Sequence, residues 1–77
     1  MGRRPKSEED AVINQIEHYR VLAGLIRQEL ADAVGVHYQT IGYIERGEYS
    51  PSLVLALKFA KALNASVEDI FQLGENK

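Results

Sequence analysis

Apolar residues recur at three- and four-residue steps along most of the chain, and glycine or asparagine interrupts the pattern at short intervals. Val12, Ile13, Ile16, Tyr19 and Leu22 make one face of a helix. Ser7 is its candidate N-cap, because acidic Glu8, Glu9 and Asp10 then fill the first turn, where the helix dipole favours negative charge. With Gly24 as the stop, this first helix is expected over roughly residues 8–23. A second helix, roughly 27–34, carries Leu30, Ala31 and Val34 on one face and ends at Gly35. Val36 enters a turn. A third helix then runs from about Tyr38 to Arg46, with Ile41 and Ile44 inward and Gly47 closing it. So short a separation around a glycine is the spacing of a helix-turn-helix, in which glycine permits a left-handed turn.

Ser50-Pro51 has the order of an N-cap followed by a first-turn proline. Leu53, Ala56, Leu57, Ala60 and Leu63 repeat at helical spacing behind it, so a fourth helix is expected at about 51–63, ended by Asn64. Ser66-Val67-Glu68-Asp69 resembles a capping box with Asp in place of Glu. It opens a short fifth helix, about 67–72, which offers Val67, Ile70 and Phe71 to the core. No alternating strand pattern of useful length is visible. The expected fold class is all-α, a compact five-helix bundle. Residues 1–10 would form a basic arm and the start of the first helix, 11–73 the domain, and 74–77 a tail.

Composition narrows the function classes. A chain of 77 residues, 45% hydrophobic and 26% charged, is an ordinary globular balance for one domain. At this size only about 60% of the unfolded surface is buried. That leaves room for one small core, not for a large enzyme pocket, a ligand-sensing domain or a cofactor fold. The absence of cysteine excludes disulfides and thiolate metal sites, and His18 and His37 cannot form a structural zinc site by themselves. No metal, cofactor or small-molecule effector is expected. His37, Tyr38 and Glu48 would make an acid/base cluster only with a pocket, and none can be argued from the sequence, so an enzyme is not expected. No apolar run approaches the ~18 residues of a membrane span. The basic start, Arg3, Arg4 and Lys6, is followed by acidic residues rather than an apolar stretch. A secretory signal is therefore not expected, and a cytoplasmic location is.

The net charge is −2. Residues 11–52 set Arg20, Arg27 and Arg46 against Glu17, Glu29, Asp32, Glu45 and Glu48, whereas the flanking segments balance. No basic patch follows from this. Contact with phosphates would have to rest on a few placed cations, backbone amides and helix N-termini.

The spacing and residue types together resemble the phage repressor/Cro family of DNA-binding domains, also called the Xre-type helix-turn-helix. The likeness rests on Gly24-Leu25, Glu29-Leu30-Ala31, Gly35-Val36, Gln39-Thr40-Ile41 and Ile44-Glu45-Arg46-Gly47. Pro51-Ser52-Leu53, Ala56-Leu57, Ala60, Ala62-Leu63 and Ser66 to Phe71 extend it, so that it covers roughly residues 12–73. Much of this pattern is packing: Leu30, Ala31, Val34, Val36, Ile41 and Ile44 hold two helices together, and Ala31 is small where they approach. The resemblance implies a lambda repressor-like domain whose third helix enters the major groove while the second crosses the backbone.

Carried over position by position, the resemblance makes Tyr38, Gln39 and Tyr43 candidates for base contact, with Thr40 as a further one. Gln39 has the clearest chemistry, since its amide can bond N6 and N7 of adenine together. Candidates for phosphate contact are Arg27, His37, Arg46, Tyr49, Ser50 and Ser52. Arg3, Arg4 and Lys6 would form an arm along the duplex or a solvated tail. Arg20 and Glu45 stand where the family commonly pairs arginine with glutamate, which implies a structural salt bridge between the first and third helices. Two positions depart from the family pattern. Ile26 replaces the usual Ser or Thr cap of the second helix, and Gly42 lies inside the third helix, where glycine costs about 1 kcal/mol relative to alanine. A close approach to DNA would account for Gly42; so would a tolerated surface glycine.

The resemblance therefore implies a sequence-specific double-stranded DNA-binding transcriptional regulator. It is expected to act as a repressor and to bind an inverted-repeat operator as a homodimer, because one short helix reads too few base pairs alone. The alternative is a protein-interaction module, or an antitoxin-like protein that also binds a partner. The acidic middle segment favours it.

Overall fold

The computed structural model describes residues 12–74. Its elements, in chain order, are β1 (Val12–Asn14), α1 (Ile16–Leu22), α2 (Arg27–Val34), α3 (Tyr38–Glu45), α4 (Leu53–Leu63), α5 (Val67–Ile70) and β2 (Phe71–Leu73). The spacing of α2 and α3 follows from the local sequence. Gly35 turns between them at φ 81°, a conformation that strains L side chains, and its N–H closes α2 on the Ala31 carbonyl. At the start of α3 the His37 imidazole takes the cap position and accepts the Gln39 N–H. Ile26 caps α2 with no side chain, but the Glu29 carboxylate accepts the Ile26 N–H at 2.9 Å, the reciprocal half of a capping box.

One apolar cluster joins the helices. Ile16 of α1, Leu30, Ala31 and Val34 of α2, Ile41 and Ile44 of α3, Phe59 and Leu63 of α4, and Ile70 of α5 are all buried in it. Ala31 is fully buried in this cluster.

The chain is not purely helical. Val12–Asn14 pairs antiparallel with Phe71–Leu73, in the register Val12↔Leu73, Ile13↔Gln72 and Asn14↔Phe71. Val12 and Ile13 are therefore strand residues rather than the face of a helix. α1 starts at Ile16 after Gln15, not after Ser7, and α5 ends at Ile70 instead of running on through Phe71. A three-residue segment has too few positions to separate period 2 from period 3.6. The hydrogen bonds that make it a strand come from the far end of the domain, where no local signal points. Ser7, the arm residues Arg3, Arg4 and Lys6, and the tail beyond Gly74 lie outside the described residues.

α4 also begins later than its Ser-Pro sequence suggests. Ser52 is the cap, its Oγ accepting the Leu55 N–H at 3.1 Å, and Ser50 and Pro51 belong to the preceding loop. Pro51 is half-buried and lines a recess together with Val12 and Phe71 of the sheet. The inward face of α4 is Ala56, Phe59 and Leu63, while Leu53 and Leu57 are exposed. Ser52→Ala is expected to destabilise the domain by about 1 kcal/mol in urea unfolding, and Ser50→Ala to have no comparable effect. The reverse ranking would place the cap at Ser50.

Candidate nucleic-acid interface

α3 is held at its C-terminal end by polar contacts from three directions. Glu45, its last residue, has a side chain only 3% exposed and uses both carboxylate oxygens. Oε2 accepts from Nε of Arg20 in α1 at 2.8 Å, and Oε1 accepts from Nε of Arg27, the first residue of α2, at 2.9 Å. Arg20 is itself only 12% exposed and donates through Nη1 to the Leu25 carbonyl at 3.0 Å. One carboxylate thus ties α1, α2 and α3 together. Asn14 of β1 adds a second anchor. Its Nδ2 donates to the Ile44 carbonyl at 2.7 Å, and its Oδ1 accepts the Ile16 N–H at 3.1 Å. The sheet therefore also positions α3. Nothing in the local pattern marks Asn14 for this role, because the strand that carries it was not legible either.

The outward side of α3 is not flat. Tyr38, Gln39, Gly42 and Tyr43 line a shallow cleft of about 190 Å³ together with Arg27 and Arg46. Tyr38, Gln39 and Tyr43 are exposed, whereas Gly42 is buried at the floor. What covers Gly42 is Arg46: a Cβ added there would lie 3.2 Å from Arg46 Nη1. The Arg46 guanidinium sits 5.3 Å from the centroid of the Tyr43 ring. It donates from Nε and Nη2 to Glu48 at 3.1 and 3.4 Å. Bonding to the Glu48 carboxylate holds its pKa above the ordinary arginine value, so the group is a permanent cation.

His37 stacks on Tyr38 with ring centroids 4.9 Å apart. Because its Nδ1 accepts the Gln39 N–H, the ring proton is assigned to Nε2, which is left as an outward donor. The remaining candidates lie apart from the cleft. Thr40 is half-buried, and its N–H bonds back to the His37 carbonyl. Tyr49 and Ser50 border the recess at the sheet. The Ser52 oxygen serves as the α4 cap, though its hydroxyl proton remains available. The arrangement offers amide, phenol, imidazole and guanidinium donors on a rigidly mounted helix. The cleft it borders is open to solvent. Among the described residues no cluster of His, Cys, Asp and Glu could hold a metal ion, and no helix is long and apolar enough to cross a membrane.

Comparison with known proteins gives the family of this fold. Residues 16–70 match the helix-turn-helix family HTH_3. An HTH-type transcriptional regulator of Methanothermobacter thermautotrophicus is 50% identical over 62 residues, spanning 79% of this chain and 90% of its own. The HTH-type transcriptional regulator YgzD of Bacillus subtilis is 44% identical over 62 residues, spanning 80% of this chain and 94% of its own. Among solved structures, the restriction-modification controller protein C.AhdI from Aeromonas hydrophila superposes with a TM-score of 0.66 at 33% identity, covering 70% of this chain and 82% of that one. The mounted α2–α3 pair, the shared core and the extent of these matches place this chain in the HTH_3 helix-turn-helix family.

Proposed function

We propose that this protein is a sequence-specific double-stranded DNA-binding transcriptional regulator that presents α3 to the major groove. The observation that carries this reading is the convergence of Tyr38, Gln39 and Tyr43 on one exposed face of a helix whose end is locked by Glu45 and Asn14. Rigid mounting matters because a base contact needs donors held at fixed positions before binding. Gln39 can take adenine by its amide, and the two tyrosines can meet a thymine methyl or donate a hydroxyl. Thr40 is a lesser partner at the edge of this face. His37 through Nε2, Arg27 through its free guanidinium nitrogens, and Tyr49, Ser50 and Ser52 through their hydroxyls would hold phosphates on either side. The named functions of the relatives and the regulators among the structural neighbours support the same reading.

The binding unit is proposed to be a homodimer on an inverted repeat, acting as a repressor in the cytoplasm. One eight-residue helix spans too few base pairs to select a site alone. Exposed Leu53 and Val54 on α4, and Leu73 on β2, supply apolar surface for a second copy. With Arg27 as the cation that neutralises about one phosphate per protomer, the log–log salt slope of binding by two protomers would be near −1.8. Selection from random duplex DNA at two salt concentrations tests the proposal. An enriched inverted repeat is the expected result, and recovery of no motif would shift the function to protein interaction. On the selected operator, Gln39→Ala is expected to weaken binding by about 1–3 kcal/mol per half-site and to abolish preference at one adenine. Equal weakening on every sequence would remove Gln39 from base reading.

A further inference from the structure

Arg46 is the cation whose place in the fold does not suit a phosphate clamp. It lies in the cleft with Tyr38, Gln39 and Tyr43, on the side of α3 that the preceding proposal turns toward the bases. Its guanidinium is seated from three sides. Tyr43 packs against it at 5.3 Å, the missing side chain of Gly42 leaves the space for Nη1, and Glu48 bonds its Nε/Nη2 edge at 3.1 and 3.4 Å. With that edge occupied, the donors left together are those of the Nη1/Nη2 edge. A phosphate drawn to this edge would bring its charge close to the Glu48 carboxylate and be repelled. The neutral edge of a base pair carries no such penalty. Two parallel donors match two acceptors side by side, and in the major groove guanine presents O6 and N7 in that arrangement.

We propose that Arg46 is a guanine-reading residue, with Glu48 as the positioning residue that orients its guanidinium and Gly42 as the seat that lets it lie against α3. This rests on the DNA-binding proposal and adds to it a base, guanine, near the C-terminal end of the reading helix. The same arrangement gives the acidic segment a purpose. Arg46 is balanced by Glu48, and Glu45 is shared between Arg20 and Arg27, so the cleft keeps its hydrogen-bonding pattern with less positive charge to hold DNA without regard to sequence than its arginines alone would give.

Selection from random duplex DNA with the unaltered protein, followed by selection and binding titrations with Arg46→Ala, Arg46→Lys and Glu48→Gln, tests the inference. The unaltered protein is expected to enrich a guanine in each half-site. Arg46→Ala should enrich the same repeat with that position degenerate, and should bind the guanine-containing operator about 5- to 150-fold more weakly per half-site. Placing 7-deazaguanine there, which removes N7, should weaken the unaltered protein and leave Arg46→Ala little changed. Arg46→Lys keeps the charge but not the paired edge, so it should retain the salt slope and lose much of the guanine preference. Glu48→Gln should narrow the gap between guanine and the other bases while tightening binding to unrelated DNA. Uniform weakening of Arg46→Ala on all sequences, with a salt slope less steep by about one per protomer, would make Arg46 a phosphate contact and overturn the inference alone. Enrichment of a motif lacking such a guanine would also overturn it alone. Failure of the unaltered protein to enrich any motif would overturn it together with the regulator proposal.

Discussion

Arg20→Ala is expected to destabilise the domain by about 3 kcal/mol, the lower end of the cost of breaking a buried ion pair by removing one partner. Two contacts go at once: the 2.8 Å bond to Glu45 and the 3.0 Å bond to the Leu25 carbonyl. Glu45, 3% exposed, is left with Arg27 alone, and Arg27 is 45% exposed and better hydrated. Arg27 keeps the loss from reaching the upper end of the range. A domain of this length has a total stability of roughly 4–11 kcal/mol, so the variant loses a large share of it. At about 4–8 °C per kcal/mol, the melting temperature should fall by about 12–24 °C in thermal denaturation followed by circular dichroism. Because Glu45 ends α3, operator binding should weaken too, even under conditions where the variant is fully folded. A change under about 1 kcal/mol is the behaviour of a solvent-screened pair, and it would end the view of Arg20–Glu45 as a strut between α1 and α3.

Phe59→Ala is expected to cost about 3–5 kcal/mol, the range for removing a buried aromatic ring. Phe59 is fully buried in α4, where it meets the cluster built from every other helix, and its ring lies 6.1 Å from that of Phe71 at the sheet. So small a domain cannot collapse around the void without moving elements that also position α3. The variant should be partly unfolded at 37 °C, and urea titration should show the lowered midpoint. Leu57→Ala, on the exposed side of the same helix, should stay within about 0.5 kcal/mol of the unaltered protein. Similar losses for the two would mean that Leu57 is covered in solution, for instance by a second copy of the chain.

Phe59 also shows where the one-dimensional pattern misleads. Residues 53–57 are apolar without interruption, so the run fits several helical faces equally well. Lys58 and Lys61 carry the distinguishing signal. Val54 and Leu57 stand one turn before them and share their solvent-facing side, which leaves Ala56, Phe59 and Leu63 for the core. The Ser50-Pro51 start is the same kind of ambiguity, since Ser52 is an equally good cap and is the one the structure uses.

Local chemistry determined the helix-turn-helix. Gly35, the burial pattern of Leu30, Ala31, Val34, Ile41 and Ile44, and the placement of Tyr38, Gln39 and Tyr43 on the outer side of α3 all follow from interactions spanning a few residues, which the sequence displays directly. The family likeness put Arg20 opposite Glu45. What the tertiary structure alone decided are the features made by residues distant along the chain: the pairing of β1 with β2, the Asn14 bond to the Ile44 carbonyl, and the capture of Arg27 by the second oxygen of Glu45. Each depends on where a hydrogen-bonding group from another element comes to rest. Periodicity reports which face of an element is buried, but it carries no information about which distant donor that face will meet.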